Sequence, residues 1–130
     1  MAADEMGTIS WVDITVEDAA PLRDFYAAVV GLESQDTDMG GYADFTLTVP
    51  GSGHPVAGVC HARGQNTGLP PVWLVYFNVP DVEAAVAAAK ERGAEVITGP
   101  NADSEGSGGY AVLRDPQGAP FALYQAGAEG

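Results

Sequence analysis

Asp13 and Asp44 are the side chains of this sequence best suited to acid–base work. Each falls in a stretch that reads as a β-strand, and each lies on the less apolar side of its strand. A carboxylate on a face shared with aromatic rings is costly to charge, which raises its pKa toward the range of a general base. Two other uses are open to the same groups. One is a salt bridge with Arg114, the only basic residue expected on that face. The other is recognition of a cationic or amine-bearing ligand, held by ion pairing and by cation–π contact with Trp or Tyr.

Other chemistry finds less support. There is no Gly-x-Ser-x-Gly elbow, and Cys60 beside His61 sets thiol and imidazole on opposite strand faces. Cys60 therefore reads as a small packed residue and His61 as an edge-strand side chain with no ligand role. The glycine-rich stretch Gly99–Gly109 lacks the strand before it and the helix after it that a phosphate cradle needs. It reads either as a rim over a pocket or as a linker.

The elements that position these residues come from a duplication. Ser10–Gly31 runs as an apolar strand, the pair Glu17-Asp18, a helix-like segment and a glycine, and Trp73–Gly93 repeats that order with Pro80-Asp81 in place of the acidic pair. Each half continues through an aromatic-containing strand, Tyr42–Val49 or Tyr110–Arg114, and closes on a run that begins with proline, at Pro55 or Pro120. A repeat of roughly 60 residues lets equivalent positions be compared. The expected elements are strands Ile9–Val16, Tyr42–Val49, Val56–Ala62, Trp73–Val79, Ala94–Ile97, Tyr110–Arg114 and Phe121–Gln125. Helices are expected over Ala19–Val30 and Val82–Arg92, capped by Asp18 and Asp81 and stopped by Gly31 and Gly93. Leu22, Phe25, Tyr26 and Val29 form one stripe expected to face a sheet. Asp38–Gly41 and Asp115–Gly118 read as turns. The expected division is a first module over 8–63, a linker over 64–71 and a second module over 72–126, within one compact domain.

Strand alternation sorts the faces. Val12, Ile14 and Val16, with Phe45, Leu47 and Val49, belong on the helix side of the first half. Trp73, Val75, Phe77 and Val79, with Phe121 and Leu123, belong on that of the second. The opposite faces hold Trp11, Asp13, Tyr42, Asp44, Leu74, Tyr76, Asn78, Arg114 and Tyr124. Aromatic rings with a few polar groups are typical of small-molecule pockets, so these nine are the candidate ligand-binding residues on one concave surface.

Composition narrows the partners. Five Lys and Arg oppose eighteen Asp and Glu, a formal charge of −13, which disfavours nucleic acid and anionic membranes. No apolar run is long enough to span a bilayer, and the N-terminus lacks the parts of a signal peptide, so a cytoplasmic location is expected. A single cysteine excludes an internal disulfide and a multi-cysteine zinc site.

The segment Val16-Glu-Asp-Ala-Ala-Pro-Leu-Arg-Asp-Phe-Tyr with Gly31-Leu, then Val79-Pro-Asp-Val with Gly93-Ala, and the closing Asp115-Pro-Gln-Gly before Phe121-Ala-Leu, resemble the two modules of the vicinal oxygen chelate superfamily. That superfamily includes glyoxalase I, bleomycin resistance proteins and extradiol dioxygenases. The resemblance, over Thr8 to Gln125, implies an α+β fold of two βαβββ modules forming a curled, cup-shaped mixed sheet with helices outside. It also implies a homodimer. Metal-dependent relatives take ligands from the first and last strand of each module. Those positions fall here at Trp11, Leu74, Ala122 and, by the repeat, near Gly58. None has a side chain that can bind a divalent cation. No metal site and no cofactor are expected, and a site built instead from Asp13, Asp44, His61 and Cys60 is disfavoured.

The expected function is a metal-free, glyoxalase- or bleomycin-resistance-like protein binding a small aromatic or cationic molecule. One alternative is a lyase or isomerase acting on a small oxygenated substrate, with Asp13 or Asp44 as base or a non-standard metal site. Another is an interaction module with a vestigial pocket.

Overall fold

Ile14, Phe45, Leu47 and Val59 come from three different strands and meet beneath the first helix, where each is at most 7% exposed. The computed structural model that shows this packing describes residues 6–102 and 109–126. Its elements are β1 (Ile9–Val16), α1 (Ala19–Tyr26), a π turn (Ala27–Gly31), β2 (Glu33–Asp38), β3 (Ala43–Thr48) and β4 (Pro55–His61). The second half has β5 (Trp73–Asn78), α2 (Val82–Glu91), β6 (Glu95–Ala102), β7 (Gly109–Arg114) and β8 (Pro120–Gln125). The hydrogen-bonded strand order is β2-β3-β4-β1-β5-β8-β7-β6, an open mixed sheet, so the class is α+β. No helix among the described residues is long and apolar enough to cross a membrane.

Contacts group the chain into two units, Val12–Trp73 and the residues up to Trp11 with those from Leu74 on. In the first, β1 runs parallel to β4, with Asp13 opposite Gly58 and Ile14 opposite Val59, and β3 lies antiparallel to both β4 and β2. Its core adds Ala19, Val16, Leu22, Tyr26 and Trp73. The Trp73 indole N–H donates to the Tyr26 hydroxyl at 3.1 Å. In the second unit, β5 runs parallel to β8, with Tyr76 opposite Ala122, and β7 lies antiparallel to β8 and β6. There α2 buries Val82 and Val86 against Ala111, Leu113 and Leu123.

Several expectations need correction. β2 was not anticipated. Its sequence Glu-Ser-Gln-Asp-Thr-Asp has no apolar alternation because it is an edge strand, with five of its six residues exposed. β6 extends to Ala102, beyond the expected Ala94–Ile97, and so takes in the start of the expected loop. Register shifts against β7 hide it, and Gly99, at φ +97°, sits where a Cβ would lie 2.7 Å from the Tyr110 carbonyl. The rest of that loop, 103–108, lies outside the described residues.

The helices also depart from expectation. α1 ends at Tyr26 and gives way to the π turn. Only Leu22 and Tyr26 of its stripe pack inward, while Phe25 and Val29 are 54% and 66% exposed. Asp18 stands at the N-cap but its side chain makes no capping bond, whereas Asp81 accepts the N–H groups of Glu83 and Ala84, each at 3.1 Å. Val49 and Phe77, both expected on the helix side, are exposed.

Candidate functional site

The strand register of the Val12–Trp73 unit sets its two carboxylates around one thiol. Thr15 lies opposite Cys60, and the β3–β4 register that pairs Phe45 with Val59 sets Asp44 opposite Cys60 from the other side. Asp13, Thr15, Asp44, Thr46, Gly58 and Cys60 therefore share the face away from α1, while Ile14, Phe45, Leu47 and Val59 share the helix face. Thr15 and Asp44 are buried.

Asp44 is held firmly. Its Oδ1 accepts the backbone N–H of His61 at 2.8 Å, and its carboxylate also accepts the Cys60 thiol. Burial pushes the Cys60 thiol well above its ordinary range, and the negative charges of Asp13 and then Asp44 push it further. A thiol kept protonated is a hydrogen-bond donor and a poor nucleophile. The cluster thus presents two carboxylates and a neutral thiol on one polar face, a chemistry that suits an ammonium group or a transferable proton.

His61 lies at the end of β4 on the other side. Its Nδ1 is 2.9 Å from the Ala43 carbonyl and 3.5 Å from Asp44 Oδ1. A carbonyl only accepts, so Nδ1 carries the hydrogen in that bond. The imidazole is edge-on to Tyr42 at 5.6 Å and tilted to Phe45 at 6.0 Å. Tyr42 was expected beside Asp44. Its ring instead joins His61 and lies beneath the Arg63 guanidinium, 4.7 Å from the ring centre.

In the second unit, register puts Tyr76, Asn78, Ala122, Tyr124, Val112 and Tyr110 on the face away from α2. Leu74, Val112 and Ala122 are fully buried there, and Asn78 is anchored by its Nδ2 donating to Thr8 Oγ1 at 3.0 Å. Trp11 is half-buried. Arg114 donates to the Gly118 carbonyl at 3.2 Å and so braces the β7–β8 turn. Sequence reasoning left three residues out of the candidate site. Cys60 and Thr15 follow from strand alternation, and Tyr110, opposite Tyr124 as Asp44 is opposite Cys60, is the register counterpart of Asp44 in the second half.

The register also tests the metal positions. Ala122 opposes Tyr76 as Gly58 opposes Asp13, so the two are equivalent in the repeat. Trp11, Gly58, Leu74 and Ala122 together supply no lone-pair donor from a side chain. Among the described residues no group of three His, Cys, Asp or Glu is arranged to hold a metal ion. The residues at these positions do not fit a divalent cation.

Known proteins place this geometry. Residues 8–123 match the family model described as the glyoxalase/bleomycin resistance protein/dioxygenase superfamily. The chain is 34% identical over 119 residues to CFP32 of Mycobacterium tuberculosis, whose name carries a provisional glyoxylase assignment; the match covers 92% of this chain and 44% of that protein. It is 32% identical over 132 residues to the anthracycline biosynthesis protein DnrV of Streptomyces peucetius, covering 93% of this chain and 48% of DnrV. The chain thus spans about half the length of the curated relatives it matches. Among solved structures, a Streptomyces coelicolor methylmalonyl-CoA epimerase shares the fold, with a TM-score of 0.57 at 20% identity over 95% of this chain and all of that one. The chain belongs to the glyoxalase/bleomycin resistance protein/dioxygenase superfamily.

Proposed function

We propose that this chain is a metal-independent binding protein for a small molecule that combines a planar aromatic system with a protonated amine, and that it works as a homodimer. The observation that carries the reading is the Asp13–Cys60–Asp44 face, in a fold whose usual ligand positions hold no donor atoms. Two carboxylates beside a thiol that stays neutral favour a cation without favouring a metal. The charge of −13 attracts the same class of ligand. Two relatives named for anthracycline biosynthesis add support, since an anthracycline is an aromatic polycycle bearing an amino sugar.

The test is a fluorescence titration with an amine-bearing anthracycline and with its sugar-free aglycone. The reading expects the amine-bearing compound to bind at least about tenfold more tightly, and expects Asp13→Asn and Asp44→Asn to remove that difference. Equal binding of both compounds, or no binding of either, would refute it.

A second reading rests on the same carboxylates. Asp13 or Asp44 would act as the base of a lyase or isomerase, taking a proton from carbon beside a carbonyl. Turnover that survives the double Asp13→Asn, Asp44→Asn variant would sink that version.

A further inference from the structure

The strand registers match the two halves of the duplication position by position. In the first half, Gly58 has Asp13 opposite it on β1 and Thr46 opposite it on β3. In the second, Ala122 has Tyr76 opposite it on β5 and Val112 opposite it on β7. Tyr76 is therefore the counterpart of Asp13. Two residues further along the same strands, Tyr124 is the counterpart of Cys60 and Tyr110 that of Asp44. Each member of the Asp13–Cys60–Asp44 face is thus replaced by a tyrosine in the second unit.

The tyrosines are sorted by face. The phenylalanines of the same strands take the helix side, where Phe77 lies opposite Leu123 and Phe121 packs on the α2 core. Tyr76, Tyr110 and Tyr124 all take the other side, and each is half-buried. A phenyl ring packs as well as a phenol, so the sorting follows the hydroxyl. Tyr110 and Tyr124 are directly opposite each other, and Tyr76 is diagonal to Tyr124, within the reach of aromatic side chains. Beside them Val112 and Ala122 supply an apolar floor. A phenol has one hydrogen to give and lone pairs to accept with, so neighbouring hydroxyls can pass a hydrogen bond on to an incoming acceptor oxygen.

We propose that the Tyr76–Tyr124–Tyr110 face binds the ring system of a planar aromatic ketone or quinone, with phenol hydroxyls donating to its carbonyl oxygen. The assignment rests on the proposed function for the aromatic character of the ligand, and it adds the ring carbonyl that this face selects. Tyr110 and Tyr124 are the specificity-determining residues, because their rings are the pair set directly opposite on neighbouring strands.

Equilibrium dialysis with fluorenone and fluorene tests this, since the two share one planar skeleton and differ in a carbonyl. The wild-type chain is expected to bind fluorenone saturably and at least about fivefold more tightly than fluorene, the worth of one hydrogen bond. The double variant Tyr110→Phe, Tyr124→Phe keeps both rings, so it should bind fluorene as before and lose the preference. Each single variant should lower the preference, and thermal melts show which variants are folded. Tyr26→Phe makes the same chemical change at the hydroxyl that serves Trp73, and should leave the preference intact. Equal binding of the two probes, binding of neither, or a preference that survives in the folded Phe variants would overturn the inference. Neither probe carries an amine, so the two readings fail separately. Loss of amine discrimination in the anthracycline pair, with the carbonyl preference intact, would sink the acid-face reading and support this one.

Discussion

The Asp44 carboxylate accepts the backbone N–H of His61 at 2.8 Å, across 17 positions of the chain. The bond pins the end of β4 to β3 and fixes Asp44 next to Cys60. The residue is thus both a structural clasp and the centre of the candidate site, and substitution separates these roles. Asp44→Ala leaves a part-buried N–H and a buried thiol without their acceptor, and should cost about 2 kcal/mol. Asp44→Asn keeps a carbonyl acceptor and should cost less than half of that. Urea unfolding of both variants measures the difference. Equal losses would mean that charge, and not the acceptor, holds the clasp.

Cys60 gives a pH signature. The folded chain raises this thiol's pKa above its ordinary value of 9.0, through burial first and then the charges of Asp13 and Asp44. The unfolded chain releases the proton near pH 9, while the folded chain keeps it. Stability attributable to Cys60 is therefore full below pH 9 and falls as pH rises above it, at up to about 1.4 kcal/mol per pH unit. Cys60→Ser keeps a donor for Asp44 and has no such titration. Its stability should fall less steeply than wild type over that alkaline window, as read by chemical unfolding at stepped pH. Parallel curves would show that burial does not hold the thiol neutral.

The two helix starts look alike in sequence and differ in fact. Asp81 takes two N–H groups, while the side chain of Asp18 takes none. Asp81→Ala should lower stability by about 1 kcal/mol and Asp18→Ala by only a few tenths. Thermal melts of the pair distinguish them. Similar losses would indicate that Asp18 acts through the helix dipole alone.

These residues also show what could be read beforehand. The duplication and the apolar alternation of Ile14–Val16, Phe45–Leu47 and Leu123 carried the fold, because a strand with one helix-covered face must show a two-residue period. β2 was hidden because neither face of an acidic edge strand is packed. The stretch from Gly99 was hidden because a bulged strand uses loop residues. At the candidate site, alternation correctly placed Asp13 and Asp44 on one face. It could not show the Asp44–His61 bond, nor that Tyr42 turns to Arg63, because both occur at strand ends where side-chain direction is no longer set by the pleat. Phe25 and Val29 have helical spacing, yet the π turn begins just beyond Phe25 and both side chains remain exposed.

The most direct measurement of the central claim is calorimetric titration of an amine-bearing anthracycline into protein stripped with a chelator, repeated after adding zinc, nickel, manganese or magnesium. Saturable binding by the stripped protein, unchanged by any of these ions and weakened by Asp44→Asn, is the predicted result. Binding that appears only once an ion is restored would contradict it.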